Sequence, residues 1–238
     1  MGSGDSLEET WGAQFAAEHP EAPHPALVDQ TGRVLGKRAQ GTRQRLLDST
    51  EQLLEAQSLR DLRVIDIARN VGASPATFYQ YFKDVEEAVL ALAEQASQEM
   101  PAVAELLEGS WQGKPGLDRA RAIVLAFIDL WDRHHAALRV RNLASDEGDE
   151  RFKAVRGRAM SPVLLGLARQ FEESQRAGRV SMHEDPRAAA AAMGAILERM
   201  GAYHRELVKS GVSREKLIET SARILHRGVT GATGEEVA

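Results

Sequence analysis

Five uncharged side chains that form hydrogen bonds lie within eight consecutive residues of the sequence. They comprise two aliphatic hydroxyls, two phenols and one amide: Ser74, Thr77, Tyr79, Gln80 and Tyr81. Groups of these types both donate and accept hydrogen bonds, which suits contacts with phosphate oxygens and with the edges of nucleic-acid bases. The chemistry that this segment predicts is therefore recognition of nucleic acid, provided that the surrounding chain turns these groups outward.

The spacing around this segment is typical of a helix-turn-helix. Ala68 is small enough to let a second helix cross closely, and Gly72, four residues later, is able to end the first helix in the left-handed conformation. Phe78 follows six residues further on and would pack the second helix against the first. An ordinary corner between two helices is the alternative. The two readings differ at Tyr79 and Tyr81, which are core residues in such a corner and exposed in a DNA-binding motif.

Basic residues are concentrated around the same segment. Residues 33–83 contain nine Lys and Arg against five Asp and Glu, whereas residues 1–32 contain six acidic residues and no basic one. The whole chain of 238 residues has a formal charge of −5. A uniformly basic surface is therefore excluded. A basic segment within an acidic chain is typical of a polyanion-binding domain joined to a larger domain with another role. Solvated helix faces also give such a local excess of charge.

The remaining pattern is helical. Leu46, Leu47, Leu53 and Leu54 form an apolar stripe over 42–57, with Thr42 as the predicted N-cap. Later helices are predicted at roughly 118–134, 137–145, 149–176, 185–209 and 213–229, and no alternating β-branched run predicts a strand. The sequence thus predicts an all-α fold of about nine helices. Its parts are an N-terminal extension at 1–41, a three-helix helix-turn-helix domain at 42–87 and a helical domain at 88–238.

Other chemistry has little support. The chain has no cysteine, which removes disulfides, thiolate catalysis and Cys-ligated zinc. It has no His-Glu-x-x-His motif, phosphate-binding loop or nucleophile elbow, so no catalytic residue, metal ligand or cofactor is predicted. No apolar run approaches the ~20 residues of a membrane span and no signal pattern is present, so we expect a cytoplasmic protein that binds no membrane. A helical enzyme or scaffold with unrecognised chemistry is the weaker alternative.

Residues 42–92 resemble the DNA-binding domain of the TetR family of bacterial transcriptional regulators. The matching stretches are 45–54, 64–68 and 72–82, and the run Ser-x-x-Thr-Phe-Tyr-x-Tyr-Phe that ends at Phe82 is the specific part. The remainder of the chain agrees with the family only in the number and length of its helices. The resemblance implies a homodimer that binds palindromic double-stranded operator DNA, with a small apolar effector enclosed in the C-terminal domain.

The resemblance also assigns individual roles. In the family, the residues that match Thr77 and Tyr79 bind DNA, and the position of Tyr81 often contacts phosphate. Two positions depart from the family pattern, because Val85 replaces a usual phosphate-binding Lys and Arg63 replaces a usual Thr or Ser. The predicted DNA contacts are Arg38, Arg43, Arg63, Ser74, Ala76, Thr77, Tyr79, Gln80, Tyr81 and Lys83.

Bulky apolar residues of 88–238 form a plain core or line an effector pocket, and residue types alone favour the plain core. The resemblance favours a pocket, for which the candidates are Met100, Trp111, Phe127, Trp131, Phe152 and Met160. Apolar residues of the last two helices pack within the chain or against a second copy. The resemblance favours a dimer interface, for which the candidates are Met193, Ile196, Leu197, Met200, Leu217 and Ile224.

These expectations describe a dimeric repressor that a small, mostly apolar ligand releases from its operator. A DNA-binding protein without an effector is the nearest alternative. In the extension, Arg33, Lys37 and Arg38 precede the first predicted helix and could enter the minor groove as a basic arm. The acidic residues 1–32 would be repelled by DNA, so their deletion is expected to leave operator affinity nearly unchanged or to raise it.

Overall fold

The computed structural model describes residues 27–232. Within this range the chain forms nine helices and no strand, apart from one isolated antiparallel bridge between Val28 and Val34. The predicted all-α class and helix number are thereby confirmed. The first 26 residues of the predicted extension lie outside the described range. The helices are α1 (Lys37–Ala56), α2 (Val64–Asn70), α3 (Pro75–Tyr79), α4 (Val85–Ser97), α5 (Met100–Glu105), α6 (Gly113–Asp146), α7 (Glu150–Arg176), α8 (Pro186–Lys209) and α9 (Arg214–Thr230).

Helix α1 begins earlier than the sequence predicted. Its N-cap is Gly36, and the predicted N-cap Thr42 lies inside the helix, where its hydroxyl donates a hydrogen bond to the carbonyl of Arg38. Gly41 interrupts the sequence pattern but not the helix, because glycine in a helix is only modestly unfavourable. Residues 37–41 therefore belong to the first helix of the DNA-binding motif and not to the extension.

The chain divides into two compact units that do not follow the predicted boundary after residue 87. The described residues of the head unit are 27–97 and 134–156, and those of the C-terminal unit are 98–133 and 157–232. Helices α6 and α7 each contribute residues to both units. Helix α6 has a kink with non-helical backbone angles at His134, which is where its residues pass from one unit to the other.

The core of the head unit explains this partition. Ala136, Ala137, Val140 and Phe152 are buried in the same apolar cluster as the leucines of α1. Arg139 adds a hydrogen bond from its Nη2 to the carbonyl of Leu54, at a distance of 3.0 Å. The three-helix motif is small, and these side chains from α6 and α7 supply apolar area that it lacks.

Helices α8 and α9 pack against each other in the C-terminal unit. Asp185 caps α8 by accepting hydrogen bonds from the backbone N–H groups of Arg187 and Ala188. Gly201 provides a close approach, since a Cβ atom there would lie 2.3 Å from Cδ1 of Trp131. Between residues 27 and 232, no helix combines the length and apolarity needed to cross a membrane.

Candidate nucleic-acid interface

The turn between α2 and α3 has the geometry that its sequence predicted. Gly72 adopts a φ of +67°, in the left-handed region, and the backbone N–H of Ala73 donates a 2.8 Å hydrogen bond to the carbonyl of Ala68. The same carbonyl accepts a second hydrogen bond from the backbone N–H of Val71, so a carbonyl that lacks its usual helical partner at the end of α2 is satisfied. Ala68 is fully buried, which allows the close crossing of the two helices. The helix-turn-helix is therefore present.

Helix α3, hereafter the recognition helix, begins with a cap formed by its own candidate DNA contacts. The Ser74 hydroxyl accepts a hydrogen bond from the backbone N–H of Thr77 at 3.2 Å, and Pro75 occupies the first helical position. The hydroxyls of Ser74 and Thr77 lie 3.1 Å apart. The Ser74 oxygen thus stabilises the helix start, and Thr77 receives a fixed orientation from it.

The aromatic residues of this segment divide between core and surface. Phe78 is fully buried and Tyr79, its neighbour, is 52% exposed, with the two rings packed edge to face at 5.8 Å. Tyr81 is partly buried and packs against the core of the head unit. Ala76 and Gln80 are exposed. Tyr79 is therefore the phenol that the recognition helix presents most openly to a partner.

Basic side chains surround the recognition helix in different environments. Arg38, Arg63 and Lys83 are exposed, and Arg63 is the N-cap residue of α2. Arg43 is half-buried, with its guanidinium 4.9 Å from the centre of the Phe82 ring. Burial lowers the pKa of Arg43, although the nearby carboxylates of Glu94 and Glu87 oppose that change. Arg43 therefore has a structural partner that the sequence analysis did not foresee, whereas the other three cations face solvent.

Residues 28–34, hereafter the N-terminal turn, also belong to this region, although no predicted contact was assigned to Gln30. The backbone N–H of Gln30 donates a 3.0 Å hydrogen bond to the carbonyl of Gln80, at the end of the recognition helix. The sequence Asp-Gln-Thr-Gly at 29–32 is a turn signal that could have revealed the local structure. The partner of the turn lies about fifty residues further along the chain, and no local pattern indicates it.

The predicted pocket residues are buried, but they do not all lie in one unit. Each of the six is at most 9% exposed. Five belong to the C-terminal unit, whereas Phe152 lies in the core of the head unit. The structure contains an open groove of about 1030 Å³ beside the start of α9 and another of about 380 Å³ between α5 and α6, and none of the six side chains lines either groove.

The predicted interface residues fall into three environments. Ile196 and Ile224 are exposed, on α8 and α9 respectively. Met193 and Met200 are partly buried, and Leu197 and Leu217 are buried within the chain. Arg199 lies over the ring of the exposed Tyr203 on the same helix, at 4.2 Å. Across the described residues, no three His, Asp or Glu side chains are grouped so as to hold a metal ion.

Fold and site together define a helix-turn-helix transcriptional regulator with a helical C-terminal domain. Residues 46–92 match the model for bacterial regulatory proteins of the tetR family, and residues 103–235 match the model for the tetracyclin repressor-like C-terminal domain. The second match covers more than half of the chain, and the protein therefore belongs to the TetR family. It is a DNA-binding transcriptional regulator of the kind that carries a ligand-binding C-terminal domain.

Several solved structures share this fold. The fatty acid degradation regulator FadR from Bacillus halodurans has a TM-score of 0.59 and 13% identity, covering 81% of this chain and 96% of its own. FadR from Bacillus subtilis in complex with stearoyl-CoA has a TM-score of 0.59 and 16% identity, with coverages of 80% and 99%. Reduced NemR from E. coli has a TM-score of 0.55 and 18% identity, with coverages of 83% and 98%. No curated protein matches the chain in sequence.

Proposed function

We propose that this regulator is a homodimeric repressor. Two recognition helices would enter successive major grooves of a palindromic operator, and a small, mostly apolar ligand in the C-terminal domain would release the protein from DNA. The single observation that carries DNA recognition is the division of Phe78 and Tyr79 between core and surface. The buried ring of Phe78 anchors the recognition helix, and the exposed phenol of Tyr79 is available to the major groove of DNA.

The proposed contacts have separate roles. Thr77 and Tyr79 read base edges or adjacent phosphates from the first turns of the recognition helix, because the N-terminal residues of such a helix approach the bases. Arg63 and Lys83 supply the electrostatic attraction to phosphate. Ser74 contributes through the helix cap, and Arg43 through its contact with Phe82. Because Arg43 is half-buried, its guanidinium is less accessible to a phosphate than the exposed side chains of Arg63 and Lys83.

The exposed apolar residues of α8 and α9 support a dimer. Ile196, Tyr203 and Ile224 are each at least 39% exposed, on two helices that pack against each other. Ala191, Ala192 and Ala195 are also exposed, and alanine lets a second helix approach closely. Burial of these side chains against the same surface of a second copy would form a symmetric interface.

The effector proposal rests on the apolar interior of the C-terminal unit and on a relative. Met100, Trp111, Phe127 and Trp131 place sulfur and large rings among its helices, where a lipophilic ligand could displace or reorient them. The structure of the Bacillus subtilis relative contains stearoyl-CoA, so long-chain acyl thioesters are suitable first probes. Ligand binding regulates DNA binding only if it favours the dimer geometry that cannot bind the operator.

The experiment for DNA binding is selection of duplexes from a random-sequence library by the full-length protein. We expect a palindromic consensus whose half-sites are roughly 34–36 Å apart, which is one turn of the double helix. The double variant Thr77→Ala/Tyr79→Phe should lose affinity for the selected duplex while keeping its thermal unfolding midpoint. Thr220→Ala removes the same atoms as Thr77→Ala from an exposed position of α9 and serves as the control. Unchanged binding by the double variant would reject the proposed recognition helix.

The effector is tested by thermal unfolding and by operator release with a panel of fatty acids and acyl-CoA thioesters. A true effector raises the unfolding midpoint and weakens binding to the selected duplex in the same concentration range. If compounds stabilise the protein without weakening its binding to DNA, or if none binds, the DNA-binding function stands and the release mechanism is wrong.

A further inference from the structure

The N-terminal turn is a compact structure built around one carboxylate. Oδ1 of Asp29 accepts hydrogen bonds from the Thr31 hydroxyl at 2.6 Å, from the Thr31 backbone N–H at 2.9 Å and from the Arg33 backbone N–H at 3.1 Å. The backbone N–H of Asp29 donates to the carbonyl of Arg33 at 2.9 Å. Hydrogen bonds from Thr31 and Arg33 lower the pKa of Asp29, so this carboxylate is charged and already occupied by donors.

Gln30 fastens this turn to the recognition helix. Besides the backbone bond to Gln80, its side-chain Nε2 donates to the carbonyl of Tyr81 at 3.3 Å and to the carboxylate of Glu87 at 3.0 Å. The recognition helix has only five residues, so carbonyl groups at its end lack helical partners. Gln30 donates hydrogen bonds to two carbonyls that directly follow the helix, those of Gln80 and Tyr81. Glu87 also accepts a hydrogen bond from the backbone N–H of Lys83, at the start of α4.

The other end of the turn is fixed to α1. Leu35 is buried, and its carbonyl accepts a 2.9 Å hydrogen bond from the side chain of Gln40. The segment between Gln30 and Leu35 is therefore held at both ends within the head unit. It is not the free basic arm that the sequence suggested, because Lys37 and Arg38 lie in α1 and Arg33 lies in the turn.

This attachment limits the distance between Arg33 and the end of the recognition helix. The backbone carbonyl of Arg33 accepts a hydrogen bond from the backbone N–H of Asp29 across the turn. The next residue, Gln30, donates its backbone N–H to the carbonyl of Gln80. With consecutive Cα atoms 3.8 Å apart, the Cα of Arg33 lies within roughly 15 Å of the Gln80 carbonyl. Arg33 is exposed, as are Thr31 and Lys37. The nearby acidic groups, Asp29 and Glu87, are engaged by hydrogen-bond donors, which reduces their repulsion of a phosphate.

We propose that the N-terminal turn is a second DNA-contacting element of the head, in which Arg33 binds a backbone phosphate flanking the groove that receives the recognition helix. Gln30 is its positioning residue, since its hydrogen bonds go to Gln80 and Tyr81 at the end of the recognition helix and to Glu87. This inference rests on the proposed function, and it adds a contact outside the residues that the helix-turn-helix supplies. Because phosphate is common to all sequences, the turn contributes affinity and orientation without sequence preference.

The test compares Arg33→Gln with Lys114→Gln, both in the full chain and both with the duplex selected by the wild-type protein. Lys114 is an exposed cation of the C-terminal unit, so its replacement removes the same charge elsewhere. Arg33→Gln should lower affinity about tenfold at low salt, with an equal factor on a scrambled duplex. The slope of log affinity against log salt should fall by about one for each head. Equal slopes for the two variants would overturn the proposal.

Gln30→Ala separates positioning from general stability. If Gln30 acts by placing Arg33, Gln30→Ala lowers affinity in the wild-type background but has little further effect in Arg33→Gln. Additive losses in the double variant, or a loss that tracks the unfolding midpoint, would mean a structural role only. The outcome is distinguishable from failure of the proposed function. If Thr77→Ala/Tyr79→Phe loses binding while Arg33→Gln does not, the recognition helix stands and the contribution of the turn is wrong.

Discussion

The head unit and the C-terminal unit place their candidate functional residues in opposite environments. In the head unit the candidate DNA contacts are mainly polar or charged and exposed. The buried rings of Phe78 and Phe82 anchor the recognition helix to the core. In the C-terminal unit the pocket candidates Trp111, Phe127 and Trp131 are buried, and the exposed residues include Ile196 and Ile224. The exposed polar residues of the head unit suit a partner that binds at the surface. The C-terminal unit suits a ligand that binds in the interior and a protein that binds to the exposed isoleucines.

This difference has a physical origin. Duplex DNA is rigid and highly charged, so it is recognised by side chains that a stable core holds outward. A small apolar molecule gains affinity by leaving water, so its site is made from residues that are buried before it arrives. Substitutions of the exposed head-unit candidates should therefore reduce binding with little loss of stability. Substitutions of the buried candidates in the C-terminal unit should reduce stability as well.

The largest difference between loss of stability and loss of DNA binding is expected for substitutions of the adjacent residues Phe78 and Tyr79. Phe78→Ala removes a fully buried ring and should cost about 3–5 kcal/mol in the free energy of unfolding. Tyr79→Ala removes an exposed ring and should cost less than about 1 kcal/mol, while abolishing binding to the selected duplex. Urea unfolding and DNA titration on the same two proteins measure both effects. Equal stability losses would mean that the core and surface assignments within the recognition helix are wrong.

Exposed isoleucines of the C-terminal unit should behave differently from one of the head unit. Ile196→Glu/Ile224→Glu places charge on the proposed dimer surface and should raise the dimer dissociation constant by about 100-fold or more, since buried unpaired carboxylates are costly. Ile65→Glu changes an isoleucine of α2 that is 47% exposed and should leave the oligomeric state unchanged. Sedimentation at several protein concentrations distinguishes the two. A dimer that survives the double substitution would require a different interface.

The head unit also shows which features are readable from sequence. The positive φ of Gly72, the Ser74 cap and the burial of Phe78 follow from residues a few positions apart, and the first and the last of these were predicted above. Local steric and hydrogen-bonding rules decide such features. Helix number and class were predictable for the same reason, because apolar periodicity is a local signal.

Features that depend on distant partners were missed. Phe152 was assigned to an effector pocket, but it packs in the head unit with residues about a hundred positions earlier in the chain. Gln30 was placed in an extension of little consequence, yet it binds Gln80, Tyr81 and Glu87. If the N-terminal turn contacts DNA as proposed, deletion of residues 1–32 should weaken operator binding, as Gln30→Ala should, whereas charge alone predicts an unchanged or higher affinity.

Two helical glycines provide a smaller contrast between the units. A Cβ atom at Gly201 would lie 2.3 Å from Trp131, whereas one at Gly41, on α1, would meet nothing within 4 Å. Gly201→Ala should therefore destabilise the protein by about 1–3 kcal/mol through overpacking. Gly41→Ala should stabilise it by about 0.5–1 kcal/mol, because alanine loses less backbone entropy in a helix. Thermal unfolding of both variants tests these signs, and two changes of the same sign would contradict the packing argument.

The smallest expected effect concerns an ion network in the C-terminal unit. Oδ1 of Asp132 lies 2.9 Å from Nε2 of the buried His204 and accepts a hydrogen bond from Nε of Arg205 at 3.1 Å. Arg214 bridges the carboxylates of Asp132 and Asp129, at 3.3 and 2.7 Å. Burial of Asp132 opposes its ionisation, but the hydrogen bonds from Arg205 and His204 prevail and hold its pKa below the ordinary value.

Because this pKa is lowered in the folded state, the stabilisation is complete above the unfolded value of about 3.9 and is lost as the pH falls through the folded value. Asp132→Asn should therefore be less stable than the wild type at pH 5, and the difference should shrink on acidification below about pH 4. The side chain is 38% exposed, so solvent screening keeps the difference below roughly 1 kcal/mol. Urea unfolding of the two proteins at a series of pH values measures it. A difference that is constant with pH would show that Asp132 contributes through packing or neutral hydrogen bonds, and that its charge adds nothing to the fold.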